Sequence, residues 1–257
     1  MDIVVVVRQL ADLVEELEVN DEGTDIDRDF VKFVANEWDE AALEEALCLK
    51  EAVGGTVTVV ALDEPDVDQT LYAAAAKGAD RVVKLTGHDP DGWVRTRERA
   101  ARVATWLRDQ HPDVVLTGVQ AADDLDGQMA GVVAAYLGWP HAAVVVVVEP
   151  AGNELTVTQE LGGGTVATST LAMPAVLGIQ AARQAPRYAP ISRIRQAQQS
   201  TTIEEVEIDE PAIGAVASVR RLFPPPSRGG AEMLEGSAAE VADKIVEILR
   251  ARGLVRA

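Results

Sequence analysis

The sequence predicts an α/β protein: a mostly parallel sheet flanked by helices, with antiparallel edge strands and an extended C-terminal arm. Three observations carry this. Ile3 to Val7 and Thr56 to Ala61 are apolar, β-branched runs without polar alternation, as in strands covered on both faces. Helical stretches closed by Gly54-Gly55, Gly78 and Gly138 alternate with such runs as far as Pro140, which implies βαβ units with right-handed crossovers. Beyond Pro140, strand-like stretches follow one another with no helix between them.

Ile3 to Val7 is expected at the sheet centre. Arg8-Gln9-Leu10-Ala11-Asp12 then opens a polar excursion carrying Glu15-Glu16-Leu17-Glu18, Gly23 and Asp25. Asn36-Glu37-Trp38-Asp39 leads into a helix with Ala42, Leu43, Ala46, Leu47 and Leu49 on one face and Asp39 as the expected N-cap. After the strand Thr56 to Ala61 come a helix from Asp66 to Lys77, a strand from Arg81 to Leu85, and a turn at Gly87 to Gly92 in which His88 is expected to be exposed. A long helix from Trp93 to Gln110 turns Trp93, Val103, Trp106 and Leu107 inward. Arg95, Arg97, Arg99 and Arg102 are expected nearer its outer faces, solvated or salt-bridged.

The stretch Asp113 to Met129 reads as a buried strand, a polar loop with Gly118, Gly127 and three aspartates, and then the apolar helix Met129 to Leu137. Ala143 to Glu149, Glu154 to Leu161, Thr165 to Met173 and Pro174 to Gln180 are expected to be antiparallel or an edge addition. Ala185 to Arg195 suits an extended arm. Thr201 to Glu210 is acidic with spaced Ile203, Val206 and Ile208, and Val216 to Leu222 is strand-like before Pro224-Pro225-Pro226. Ser237-Ala238-Ala239-Glu240 is a capping box for a final helix with Val241, Ile245, Ile248 and Leu249 on one face. The chain therefore divides into an α/β domain at 1–185 and a segment at 186–257 too poor in apolar residues for its own core, which must dock on that domain or on a partner.

A chain of 257 residues, 47% hydrophobic, can bury a full core. Its net charge of −19 argues against nucleic acid as a partner, because phosphates need a concentrated basic surface. The 42 acids against 23 bases, only five of them lysine, suggest a surface suited to concentrated salt, where self-repulsion is screened. A single cysteine, Cys48, excludes an intramolecular disulfide and any multi-cysteine metal centre; no metal spacing and no catalytic triad is evident. No apolar run approaches the ~20 residues that span a bilayer, and the N-terminus has no basic leader. The expectation is a soluble, intracellular, cytoplasmic protein without direct membrane insertion.

The turn from Gly118 to Gln128 is the first candidate site. Where a strand of an open parallel sheet ends and a helix begins, unpaired N–H groups point outward and favour anions. Turn formation and helix capping alone would also select Gly, Asp and Gln there.

Four stretches resemble the beta subunit of electron transfer flavoprotein along nearly the whole chain. Asn36-Glu37-Trp38-Asp39-Glu40-Ala41-Ala42-Leu43-Glu44-Glu45-Ala46 resembles that family's Asn-x-x-Asp-Glu-x-Ala-x-Glu-Glu-Ala segment, and Gly78-Ala79-Asp80-Arg81 its Gly-Ala-Asp turn. Gly118 to Asp123 with Gly127-Gln128-Met129 is similar to its Gly-Lys-Gln-Ala-Ile-Asp loop. Leu171 to Val176, followed by Ala185-Pro186-Arg187-Tyr188, is similar to its Leu-Pro-Ala-Val strand and Glu-Pro-Arg-Tyr corner.

The resemblance implies a Rossmann-like fold of the adenine nucleotide alpha hydrolase type. It also implies a heterodimer in which an alpha subunit holds most of a FAD while the beta subunit binds an adenine nucleotide: AMP, or a second FAD in members that bifurcate electrons. Electrons would pass from acyl-CoA or related dehydrogenases, as in fatty acid β-oxidation, to a membrane quinone oxidoreductase, with no catalytic side chain on the beta subunit. Carried over by position, nucleotide contacts fall on Val6, on Asn36, Glu37, Trp38 and Asp39, on Leu62, and on the loop Gln120, Ala121, Ala122, Asp123, Asp124, Leu125, Asp126, Gly127 and Gln128. The recognition loop that docks on dehydrogenases maps to Pro186, Arg187, Tyr188, Ile191, Arg193 and Arg195, with Ile191 as its apolar tip.

The chain departs from the family pattern at Val119, where a lysine is usual, and its loop is about three residues shorter before Gly-Gln-Met. Arg8-Gln9 stands for Lys-Arg, Leu13 for a flavin-side aromatic, and Gln159-Glu160-Leu161-Gly162-Gly163-Gly164 for a more charged segment. A free-standing adenine-nucleotide-binding regulator of the stress type is the alternative on the same fold; it would have no use for the segment after residue 186.

Overall fold

The first apolar run becomes β1 (Asp2–Val6), its last four residues buried. The chain then leaves the sheet for a small antiparallel ribbon, β2 (Gln9–Ala11) with β3 (Phe33–Ala35), and returns through α1 (Glu37–Val53). β4 (Thr56–Leu62), α2 (Val67–Lys77), β5 (Arg81–Thr86), α3 (Thr96–Leu107), β6 (Val114–Gly118) and α4 (Met129–Leu137) complete the alternation. There follow β7 (His141–Ala151), β8 (Glu154–Gly162), β9 (Thr165–Ala172), β10 (Ala175–Ile179), α5 (Ile191–Ser200), β11 (Glu204–Glu207) and α6 (Ala238–Ala251). This computed structural model describes residues 1–255 except 93, 125, 126, 210, 212, 214–218, 225–229 and 232. Trp93, Leu125, Asp126 and the first part of the strand-like stretch Val216 to Leu222 thus lie outside the described residues.

Among the described residues one sheet has the order β11-β5-β4-β1-β6-β10-β7-β8-β9. As expected, β1 is central, parallel to β4 on one side and β6 on the other. Its side chains alternate between two cores. Ile3 and Val5 pack with Ala42, Leu43, Leu47 and Leu71 from α1 and α2, while Val4 and Val6 pack with Val103, Leu107, Val133 and Ala134 from α3 and α4. Each such fully buried aliphatic contributes roughly 1.5–3 kcal/mol, so this two-sided burial, not helix propensity, holds the layers together. Chain order reverses at β1, so a crevice opens at the carboxyl ends of β1, β4 and β6.

Two expectations are corrected. The stretch Pro174 to Gln180 is no edge addition: β10 lies between β6 and β7, parallel to both, with all five residues buried. Only β7, β8 and β9 form the antiparallel edge. The arm from Ala185 to Arg195 is not extended throughout. It turns helical at Ile191, where Pro190 supplies the N-cap, and α5 packs against α2 with Ala197 buried.

The acidic segment then adds β11 to the free edge of β5. Farther on, the Leu222 N–H donates to the Gly23 carbonyl at 2.7 Å, tying the tail to the excursion after β2. α6 opens with the expected capping box yet buries none of its residues. Among the described residues no helix is long and apolar enough to cross a membrane.

Candidate functional site

The crevice at the strand ends holds a cleft of about 340 Å³. Gln9, Leu10, Ala11 and Leu13 line one wall, Phe33 and Arg28 the next, Glu64 and Pro65 a third, and Ala122 with Asp123 a fourth. Four connections converge there: the β1–β2 turn, the excursion, the turn after β4 and the loop after β6.

Asp39 organises the base. It was expected as the N-cap of α1, but Asn36 holds that position and Asp39 is the third helical residue. Its carboxylate is buried and accepts from the Arg8 N–H at 2.9 Å and the Gly118 N–H at 2.8 Å, stitching α1 to the ends of β1 and β6. Burial raises the Asp39 carboxyl to about 6, against the opposing pull of the Arg8 guanidinium and the two amide donors. The close approach explains Gly118, since a Cβ there would stand 2.5 Å from Asp39 Oδ1 and 2.8 Å from the α1 backbone.

Asn36 is also buried. Its Nδ2 donates to the Gln120 carbonyl at 2.9 Å, which fixes the amide's orientation and leaves Oδ1 without a donor. The loop after β6 is tight. The Asp124 N–H donates to the Ala121 carbonyl at 3.0 Å, and Gly127, at φ +60°, donates to the Asp124 carbonyl at 3.3 Å. A Cβ on Gly127 would lie 2.9 Å from the Val119 carbonyl oxygen. Gln128 caps α4, and the N–H groups of the first turn of that helix follow it.

Arg8, 4% exposed, crosses beneath this loop and pairs with Asp123 at 3.2 Å and Asp124 at 3.4 Å. Behind Glu64 lies Arg99, whose Nη2 pairs with Glu64 Oε1. Here the expected outer face of α3 is corrected: Arg99 and Arg102 are 1% and 3% exposed. Arg102 donates to the carbonyls of Gly87 at 3.1 Å and Ile208 at 3.0 Å, tying the turn after β5 to the end of β11. The turn histidine is corrected too. Both ring nitrogens of His88 are shielded from solvent, and burial together with the nearby Arg102 charge lowers its pKa.

The residues named by sequence fall into distinct positions. Val6 and Leu62 send their side chains into the core and are not among the residues that line the cleft. Ala122 and Asp123 line the cleft, while Asn36, Asp39 and Gln120 brace it from behind. Glu37 and Trp38 face a second, shallower cleft of about 540 Å³ that they share with Gln180, Ala181, Gln184 and Pro186. Leu125 and Asp126 lie outside the described residues. Sequence reading did not single out Glu64 and set Arg99 nearer an outer face; the signal for Arg99 was its place four and seven residues before the inward-facing Val103 and Trp106.

On the arm, Tyr188 and Ile191 are 79% and 65% exposed, and Arg193 and Arg195 point to solvent as well. Arg187 is engaged internally. Its backbone N–H and guanidinium donate to Glu44 at 2.8–3.1 Å, and Nη1 reaches Glu51 at 2.7 Å. Glu44 also accepts from Gln184 at 2.6 Å, and the neighbouring Glu45 accepts from Arg183 at 2.6 Å. Held this way, the buried Glu44 carboxyl is lowered to about 2 even though its burial opposes ionisation.

Comparison with known proteins shows the family. Residues 25–211 match the family model described as the electron transfer flavoprotein domain. The chain is 38% identical to the electron transfer flavoprotein subunit beta of Methylophilus methylotrophus, over 97% of this chain and 98% of that protein. It is 30% identical to the protein of that name from Syntrophomonas wolfei, over 97% and 96%. With the mitochondrial subunit beta of Arabidopsis thaliana it shares 31% identity, over 95% and 97%.

Proposed function

Since the chain belongs to the electron transfer flavoproteins, as a beta subunit, we propose that it pairs with an alpha subunit carrying FAD and holds AMP in the cleft above β1, β4 and β6. The assembled pair carries electrons from acyl-CoA or related dehydrogenases to a membrane quinone oxidoreductase. The observation that carries the AMP assignment is the cleft itself together with the buried acceptors around it. Asn36 Oδ1 and Gln9 Oε1 lack donors, and a nucleotide's amino and hydroxyl groups supply donors of the right kind. At about 340 Å³ the cleft lies near the lower end of the ~300–1,000 Å³ usual for small-ligand sites, which favours a mononucleotide over a second FAD.

The residues fit such a ligand in named roles. Asn36 meets the base, the loop Gln120 to Gln128 with the start of α4 offers N–H groups to phosphate, and Asp39 and Arg8 keep that loop in place. FAD, when bound at the subunit interface, supplies the redox chemistry. This chain's part is to hold nucleotide and flavin-bearing partner and to present the docking arm. The second cleft, beside the root of that arm, is the proposed face toward the flavin-bearing subunit, and exposed Ile191 with Arg193 and Arg195 suits a small interface that releases readily.

Co-expression with the alpha subunit, followed by counting flavin and AMP per heterodimer, tests this. One flavin and one AMP are expected. Two flavins without AMP would replace AMP by a second FAD and make the protein a bifurcating member. A colourless monomer with neither would refute the reading.

A further inference from the structure

Glu64 and Arg99 form a buried pair that the phosphate loop and the docking arm do not explain. Glu64 follows β4 and lines the cleft beside Pro65. One carboxylate oxygen is held by Arg99, and the other is shielded from solvent and has no partner. Arg99 is 1% exposed, and its Nε and Nη1 are likewise unpartnered. Leaving such groups unsatisfied is costly, so a buried charged pair with spare capacity at the edge of a cleft points to a missing ligand group.

The chemistry of that group follows from the side chain. A carboxylate paired with a guanidinium, as Glu64 is with Arg99, only accepts hydrogen bonds. The ligand must offer a donor there. A phosphate does not suit this oxygen, because its own negative charge would face the Glu64 carboxylate. On an adenine nucleotide the donors are the amino group of the base and the ribose hydroxyls.

We propose that Glu64 reads the ribose hydroxyls of the nucleotide, with Arg99 as the positioning residue that fixes its carboxylate, so that the cleft selects ribonucleotides over deoxyribonucleotides. This rests on the reading that the cleft takes an adenine nucleotide. It adds a selectivity that backbone contacts to phosphate cannot give, since phosphate is common to both kinds of nucleotide.

The test is competitive loading of the heterodimer with AMP against 2′-deoxy-AMP and against 3′-deoxy-AMP, followed by quantifying the nucleotide retained. The wild type is expected to prefer AMP over at least one analogue by about tenfold or more, the scale of a hydrogen bond to a charged group. Glu64→Ala should retain AMP more weakly and lose that preference. Arg99→Lys, which keeps the charge and loses the fork, should weaken the preference in part. Because Glu64→Ala leaves Arg99 buried without its counter-charge, the double variant Glu64→Ala/Arg99→Met serves if the single one does not fold, with the same loss of preference expected. Equal loading of AMP and both analogues in the wild type, or a preference that survives in the alanine variant, overturns the proposal and leaves the nucleotide site standing. A wild type that retains no adenine nucleotide brings down both.

Discussion

Replacing Glu44 by alanine tests what holds residues 183–190 to α1. The wild-type carboxylate is buried and accepts four hydrogen bonds from Arg187 and one from Gln184. Its fall from 4.5 to about 2 corresponds to about 3 kcal/mol at about 1.36 kcal/mol per decade of proton affinity. Removing one partner of a buried pair costs about 3–5 kcal/mol when the other charge is stranded, but Arg187 is 28% exposed and can turn to water. We therefore expect Glu44→Ala to lower the unfolding free energy at pH 7 by about 2–3 kcal/mol in urea denaturation. Faster hydrogen exchange at the Arg187 amide should accompany it. Because the folded-state pKa is depressed, this stabilisation is complete above 4.5 and is lost as pH falls toward 2, so the wild-type and variant curves should converge there. A variant within about 0.5 kcal/mol of the wild type at pH 7, or a difference that persists at pH 2, would refute the reasoning.

Four further outcomes are expected. The Asp39 carboxyl is raised from 3.8 to about 6, so it stabilises the fold at low pH and loses about 3 kcal/mol of that contribution as pH rises through this window; Asp39→Asn should flatten this segment of the stability curve, and an unchanged slope would contradict the assignment. Gly118→Ala forces a methyl group against Asp39 and the α1 backbone and should cost roughly 1–3 kcal/mol by denaturation, with reduced AMP content in the heterodimer. Ile191→Ala should leave stability within about 0.5 kcal/mol while raising the KM for the dehydrogenase partner; an unaltered KM would remove Ile191 from the docking tip. With 42 acidic against 23 basic residues, the melting temperature should climb with potassium chloride, and equal or greater stability in dilute buffer would end the salt-adapted reading.

Much of the fold was legible because it rests on local patterns. The apolar run of β1, the helix stops at Gly54, Gly78 and Gly138, and the capping box at Ser237 each state their own structure. The place of β10 was not legible, since a fully buried run announces burial without saying between which strands it lies. α5 escaped notice because Ile191, Ile194 and Ala197 are too few apolar residues to mark a face among polar neighbours. At the site, the loop after β6 was visible from composition, whereas the work of Asp39 and Arg99 was not. Asp39 resembles a cap and Arg99 a solvated charge until tertiary contacts remove both from water.

The position of β10 also has a consequence for synthesis. The second neighbour of β6 is β10, and the Val119 N–H that begins the candidate loop is received by the Ile179 carbonyl at 2.9 Å. On the ribosome that acceptor emerges about 60 residues after Gly118, several seconds later at ~5–20 residues per second. During that interval the apolar edge Val114 to Leu116 stands open to any passing strand. The nascent chain thus completes its candidate loop only when the β7–β8–β9 ribbon has been made and β10 has slipped in beside it, so an arrest in translation before Ile179 leaves a chain with an unsealed sheet edge and an untied loop.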